Sequence, residues 1–192
     1  MRTFISVELA DEVKKNIAEL VGELKNTSTA VKWVEPKNLH ITLKFLGWIE
    51  EKNLSDLIEL AARAVAQSAA FKAKFEGLGT FPEGKKARVV WVGTVEGGDE
   101  LGKIAAALEK TLSKAGFRSE EREFRSHITI GRVKEKIARP VRYEEIDKLM
   151  EKIKEFQGAK FGEAVVDRIN IMKSTLTQAG PIYETIREIK LL

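Results

Sequence analysis

The chain has 192 residues, 43% hydrophobic and 32% charged, enough for one large domain or two packed lobes with a real core. It contains no cysteine, which excludes disulfides, thiolate nucleophiles and cysteine-ligated zinc or iron–sulfur sites, and is compatible with the cytoplasmic setting expected here. A net charge of +4 permits a phosphate-bearing partner without demanding one. The opening "MRTFISVELADEVKK" turns charged too soon for a signal peptide, and no stretch approaches the roughly 18 to 20 apolar residues of a membrane span.

In chain order, "TFISVEL" (3–9) reads as a buried strand. Asp11 is placed to cap a helix whose apolar face uses Val13, Ile17, Leu20, Val21 and Leu24. A loop "KNTSTA" and a short extended "VKWVEP" lead to a strand at 39–46. A helix at 53–68 follows, with Leu54, Leu57, Ile58, Ala61 and Val65 on one side. Strands at 71–79 and 87–95 flank the loop "TFPEGKKA". "GGDE" then opens a helix carrying Leu101, Ile104, Ala105, Leu108 and Leu112 at helical spacing. A strand at 126–133 and a helix at 143–156, using Ile146, Leu149, Ile153 and Phe156, come next. "EAVVDRINIMKSTL" and "IYETIREIKLL" form a hairpin pattern around "TQAG".

The order of elements repeats. Residues 38–95 and 125–191 each run strand, helix, strand, turn, strand, and each carries the triplet His-Ile-Thr in its first strand. The expected architecture is α+β: one bilobal domain over 1–192, with two pseudo-symmetric lobes, antiparallel sheets lining a central cleft and helices on the outer faces.

Both histidines of the chain, His40 and His127, lie in those triplets. In a strand, side chains alternate, so His40 shares a face with Thr42 and His127 with Thr129, while Ile41 and Ile128 face a core. Two imidazoles and two hydroxyls converging across a cleft suit proton transfer on both sides of a reacting phosphate. A neutral histidine takes a proton from water attacking phosphorus, a protonated one gives a proton to the departing sugar oxygen, and the threonines donate to non-bridging oxygens. Histidine suits both roles because it titrates near neutrality. A structural role for each histidine is one alternative. Zinc is another, but a third ligand would have to come from a carboxylate such as Glu163 or Asp167.

These motifs resemble the two-histidine phosphoesterase superfamily, and within it the archaeal and bacterial RNA 2′,3′-cyclic phosphodiesterases, historically called 2′-5′ RNA ligases. The resemblance runs through "MRTFISVEL", "VKWVEPKNLHITLKFLG", "GTFP" with "RVVWVG", "FRSHITIGRV" and "STLTQAGPIYE". It implies that His40 donates a proton to the 3′ leaving oxygen and that His127 accepts one from water, with Thr42 and Thr129 beside them, giving a 2′-phosphomonoester. It also implies no metal and no cofactor. The implied partner is RNA bearing a 2′,3′-cyclic phosphate or a 2′-5′ linkage, tRNA halves among them, with no membrane and no obligatory protein partner. The residues alone leave the acid and base roles symmetrical. They also leave open an RNA-binding module without turnover, and a phosphodiesterase of small cyclic nucleotides.

Candidate phosphate and RNA contacts surround the motifs. Strict alternation puts Lys44 and Arg125 on the histidine face and Arg132 on the opposite one, so Arg132 reaches the cleft only if its strand twists or ends near Gly131. Lys85, Lys86 and Arg88 are placed to track phosphates. Phe81 is the favoured base-stacking residue, with Trp33 a further candidate, Tyr183 a rim position, and Phe45 assigned to the core with Ile41.

Overall fold

The computed structural model describes residues 1–134, 139–178 and 180–192; of the "TQAG" turn, Ala179 lies outside them, and the side chains of 139–142 are likewise not described. Along the described residues run β1 (Arg2–Glu8), α1 (Asp11–Lys25), β2 (Val31–Trp33), β3 (His40–Trp48), α2 (Leu54–Val65), β4 (Phe71–Phe81) and β5 (Val89–Glu96). They continue as α3 (Gly98–Lys114), β6 (His127–Val133), α4 (Arg139–Glu155), β7 (Lys160–Val166), β8 (Arg168–Leu176) and β9 (Pro181–Lys190).

The helices form where the 3.6-residue apolar period runs, and they bury that period. All five expected positions are buried on α1 and on α3. On α2, Leu57, Ala61 and Val65 are buried, while Leu54 and Ile58 pack at the core's margin. On α4, Ile146, Leu149 and Ile153 are buried. Asp11 is not the cap of α1 but its first residue. Ala10 occupies the cap without a side-chain bond, and Asp11 with Glu12 places negative charge in the first turn, where the helix dipole favours it.

The strands form one antiparallel sheet in the order β7-β4-β5-β6-β3-β1-β8-β9, with β2 added to β6. The hairpin β4–β5, which follows His40 in the chain, pairs with β6, the strand of His127. The strand of His40 instead pairs with β1, which carries the hairpin β8–β9. The segment expected as a single strand at 163–176 is two strands that part at Asp167. β7 joins β4 on one side of the molecule and β8 joins β1 on the other. The buried face switches from Ala164 and Val166 to Ile169 and Ile171 across Asp167, and a strand pattern carries no information about which neighbour a strand takes.

Candidate active site

β3 and β6 meet through one ladder pair, Ile41 with Ile128, both fully buried. An antiparallel pair centred there sets His40 across from Thr129 and Thr42 across from His127, on the face opposite the two isoleucines. Each histidine therefore neighbours the threonine of the other strand.

The two rings are held alike. His40 Nδ1 donates to the Asn38 carbonyl at 2.8 Å, and His127 Nδ1 donates to the Arg125 carbonyl at 2.6 Å. A carbonyl only accepts, so each Nδ1 carries hydrogen and each neutral ring keeps its lone pair on Nε2. Thr42 Oγ1 lies 3.0 Å from His40 Nε2 and donates to it while that ring is neutral. Asn38 is itself fixed, its side-chain amide donating to the Pro181 carbonyl at 3.2 Å, which ties the approach to His40 to the start of β9.

Aromatic rings wall both histidines. Phe4 and Tyr183 have centroids 5.0 and 5.3 Å from His40, and Phe81 stands edge-on to His127 at 5.2 Å. Trp91 backs Phe81 at 5.1 Å, lying so close over Gly79 that a Cβ there would collide with its indole. Burial pushes both histidines below their ordinary pKa, and the charge of Arg132 pushes both down further. His127 and Lys14 add smaller effects of the same sign on His40. Burial raises Tyr183, with Arg132 and Arg2 opposing it.

Arg132 thus acts on both histidines, against strict alternation. The cause is a bulge. Thr129 pairs with Trp91 and Gly131 with Val90, which leaves Ile130 as an extra residue in β6. One extra residue inverts the alternation beyond it, so Gly131 is buried and Arg132 is exposed on the histidine face. β3 has the same irregularity: Thr42 pairs with Ser6 and Lys44 with Ile5, leaving Leu43 extra.

That bulge corrects two expectations. Lys44 is not on the histidine face: it is 3% exposed, ion-paired with Glu109 of α3 and donating to the Arg118 carbonyl at 2.8 Å. Phe45 is not core: it is 49% exposed, with its ring 6.5 Å from that of Phe4. Trp33 is a third correction. It pairs with Gly131 beside Lys32–Arg132, and its ring covers Gly131 on the face away from the histidines.

The other candidates lie outside this group. Arg125 contributes its carbonyl while its side chain is exposed. Lys85, Lys86 and Arg88 are exposed on the β4–β5 turn, with Lys85 3.2 Å from Asp147 of α4. The carboxylates weighed as zinc ligands are engaged elsewhere, Glu163 with Lys72 and Asp167 with Arg168. Among the described residues no group of three histidine, cysteine or carboxylate side chains could hold a metal ion.

A model of the LigT-like phosphoesterase family matches the chain twice, over residues 7–91 and 92–183. The chain belongs to the LigT-like phosphoesterase family. It is 40% identical over 188 residues to the RNA 2′,3′-cyclic phosphodiesterase of Thermotoga maritima, covering 98% of this chain and 94% of that one. It is 37% identical to the protein of the same name from Archaeoglobus fulgidus, covering 97% and 98%. A crystal structure from Thermus thermophilus superposes with a TM-score of 0.79 at 27% identity, covering 100% of this chain and 98% of the other. Escherichia coli LigT shares the fold, with a TM-score of 0.77 at 22% identity over 99% and 97%.

For this LigT-like phosphoesterase, sequence reasoning overlooked Phe4 and Trp91 as cleft residues. Both sit in strands whose alternation reads as ordinary burial, and only the closure of β1 on β3 and of β5 on β6 brings them to the histidines. Among the described residues no helix is long and apolar enough to cross a membrane.

Proposed function

We propose that this protein hydrolyses the 2′,3′-cyclic phosphate end of RNA, tRNA halves included, to a 2′-phosphomonoester without a metal or other cofactor. The observation that carries the reading is the matched anchoring of the two imidazoles. Each Nδ1 is tied to the carbonyl two residues upstream, leaving each Nε2 to exchange protons. Relatives 34–40% identical over most of their length bear the name of this activity.

In the proposed reaction, His127 Nε2 accepts a proton as water forms the new P–O bond. The bond from phosphorus to O3′ breaks, and His40 Nε2 delivers the proton that O3′ takes up. Thr42 and Thr129 donate hydrogen bonds to the non-bridging oxygens, and the guanidinium of Arg132 balances their charge. With a 5′-hydroxyl RNA end in place of water, the same groups in the same roles would join RNA through a 2′-5′ linkage: His127 takes the hydroxyl proton, the P–O5′ bond forms, the P–O3′ bond breaks and O3′ takes its proton from His40.

The test is hydrolysis of a short RNA ending in 2′,3′-cyclic phosphate, in excess chelator, by the wild type, His40→Ala and His127→Ala. The expected result is chelator-resistant release of a 2′-phosphate end, with each substitution lowering kcat by about 10²- to 10⁴-fold. RNA binding without turnover would replace the reading by a binding module. Turnover of small cyclic nucleotides alone would move the substrate, and loss of activity in chelator would restore a metal.

A further inference from the structure

The aromatic wall beside His40 does not end at the cleft. Arg2 pairs with Trp48 in the ladder that pairs Phe4 with Phe45, and Arg2 lies two residues from Phe4 along β1, so both pairs face the same side. Phe4 touches His40 on that side. Trp48 therefore continues the row of Tyr183, His40, Phe4 and Phe45 outward, and it is 80% exposed.

The backbone positions of β1 that pair with His40 and Trp48, Glu8 and Arg2, are six residues apart, about 20 Å along the strand. Phe4 and Phe45 occupy the rows between them, so a nucleoside held beside His40 meets those rings before Trp48. Arg2 is exposed, and among the described residues the only arginine in an ion pair is Arg168. The nearby Glu50 is neutralised by Lys52 at 2.7 Å. The charge of Arg2 reaches Tyr183, within the wall of His40.

We infer that Trp48 and Arg2 form a subsite for nucleotides upstream of the cyclic end, making single-stranded RNA of several residues the preferred substrate over a mononucleotide. An exposed indole stacks on any base, and a guanidinium beside it takes the backbone phosphate, a combination that binds single strands with little sequence preference. Phe45 bridges from this subsite to the terminal nucleotide. The cyclic phosphate closes the 3′ end, so everything held along the row is on its 5′ side.

This inference rests on the phosphodiesterase reading, and a paired assay separates the two. The substrates are a mononucleoside 2′,3′-cyclic phosphate and a hexanucleotide with the same end, assayed with the wild type, Trp48→Ala, Trp48→Phe and Arg2→Gln. Trp48→Ala should lower kcat/KM for the hexanucleotide about 5-fold or more and leave the mononucleotide value within about twofold, with Trp48→Phe partly retaining the preference. Arg2→Gln should lower the hexanucleotide value at low salt and converge on wild type as salt rises. Equal effects on both substrates, or none on either, would overturn the subsite while leaving the activity standing. A wild type inactive on both would overturn the activity and the subsite together.

Discussion

Phe45 and Arg132 stand at the same place in their strands, five residues after His40 and His127, and equivalent one-residue bulges turn both to the histidine face. The two strands are alike in geometry and unlike in chemistry. One offers an aromatic surface and the other a cation. A phosphate held between the histidines would meet Arg132 from the β6 side, while its nucleoside would lie against the Phe45 side. Four consequences can be measured.

Arg132 should add to burial in lowering the pH optimum. The free enzyme needs one imidazolium and one imidazole, and burial followed by the charge of Arg132 holds both rings below 6.5. The active protonation state then peaks below pH 6.5 in kcat/KM. Arg132→Met removes one depressing charge, so the peak should move to higher pH while its height falls about 10- to 100-fold for loss of a charged hydrogen bond to phosphate. An unmoved optimum would place the guanidinium's influence elsewhere.

Tyr183 should matter through burial. Its ring stands edge-on to His40 and also meets Phe4 at 5.1 Å. Tyr183→Ala would admit water and raise the pKa of His40, with little change at His127, as read from ring-proton NMR titration. The linkage has a definite sign. Both histidines have folded pKa values below the unfolded 6.5, so the protein's stability should be full above that pH and decline as pH falls through it toward the folded values. Tyr183→Ala should weaken that decline.

Lys44 and Glu109 should respond unequally to truncation. The Lys44 side chain is almost fully buried, whereas Glu109 keeps about a third of its surface in water. Glu109→Ala strands a buried ammonium with only the Arg118 carbonyl, and should cost about 3 kcal/mol in chemical denaturation. Lys44→Met leaves a carboxylate that can rehydrate, and should cost nearer ~1 kcal/mol. Equal costs would contradict this view of the pair.

Gly79 should tolerate no side chain. Any Cβ would strike the indole of Trp91, which supports Phe81 against His127. Gly79→Ala should destabilise the protein by about 1–3 kcal/mol, as overpacking does, and should alter Trp fluorescence. Activity should fall even in molecules that remain folded, because Phe81 loses its backing.

Much of this molecule is written locally. The helical faces of α1 and α3 follow from an apolar period read residue by residue, and burial matches them because a helix has one geometry. The placing of His40 beside Thr42 and of His127 beside Thr129 likewise follows from a two-residue period within a short strand. What lay outside the sequence was anything requiring a partner. A bulge exists only relative to a neighbouring strand, so no alternation within "HITLKF" or "HITIGR" could show that Lys44 turns toward α3 or that Arg132 turns to the histidines. The exchange of hairpins between the histidine strands, and the parting of β7 from β8 at Asp167, are decisions of pairing rather than of propensity. The sequence by itself determined the two His-x-Thr faces and the helices. The tertiary structure alone decided which aromatic rings and which cation stand beside them, because those contacts are made by residues distant along the chain.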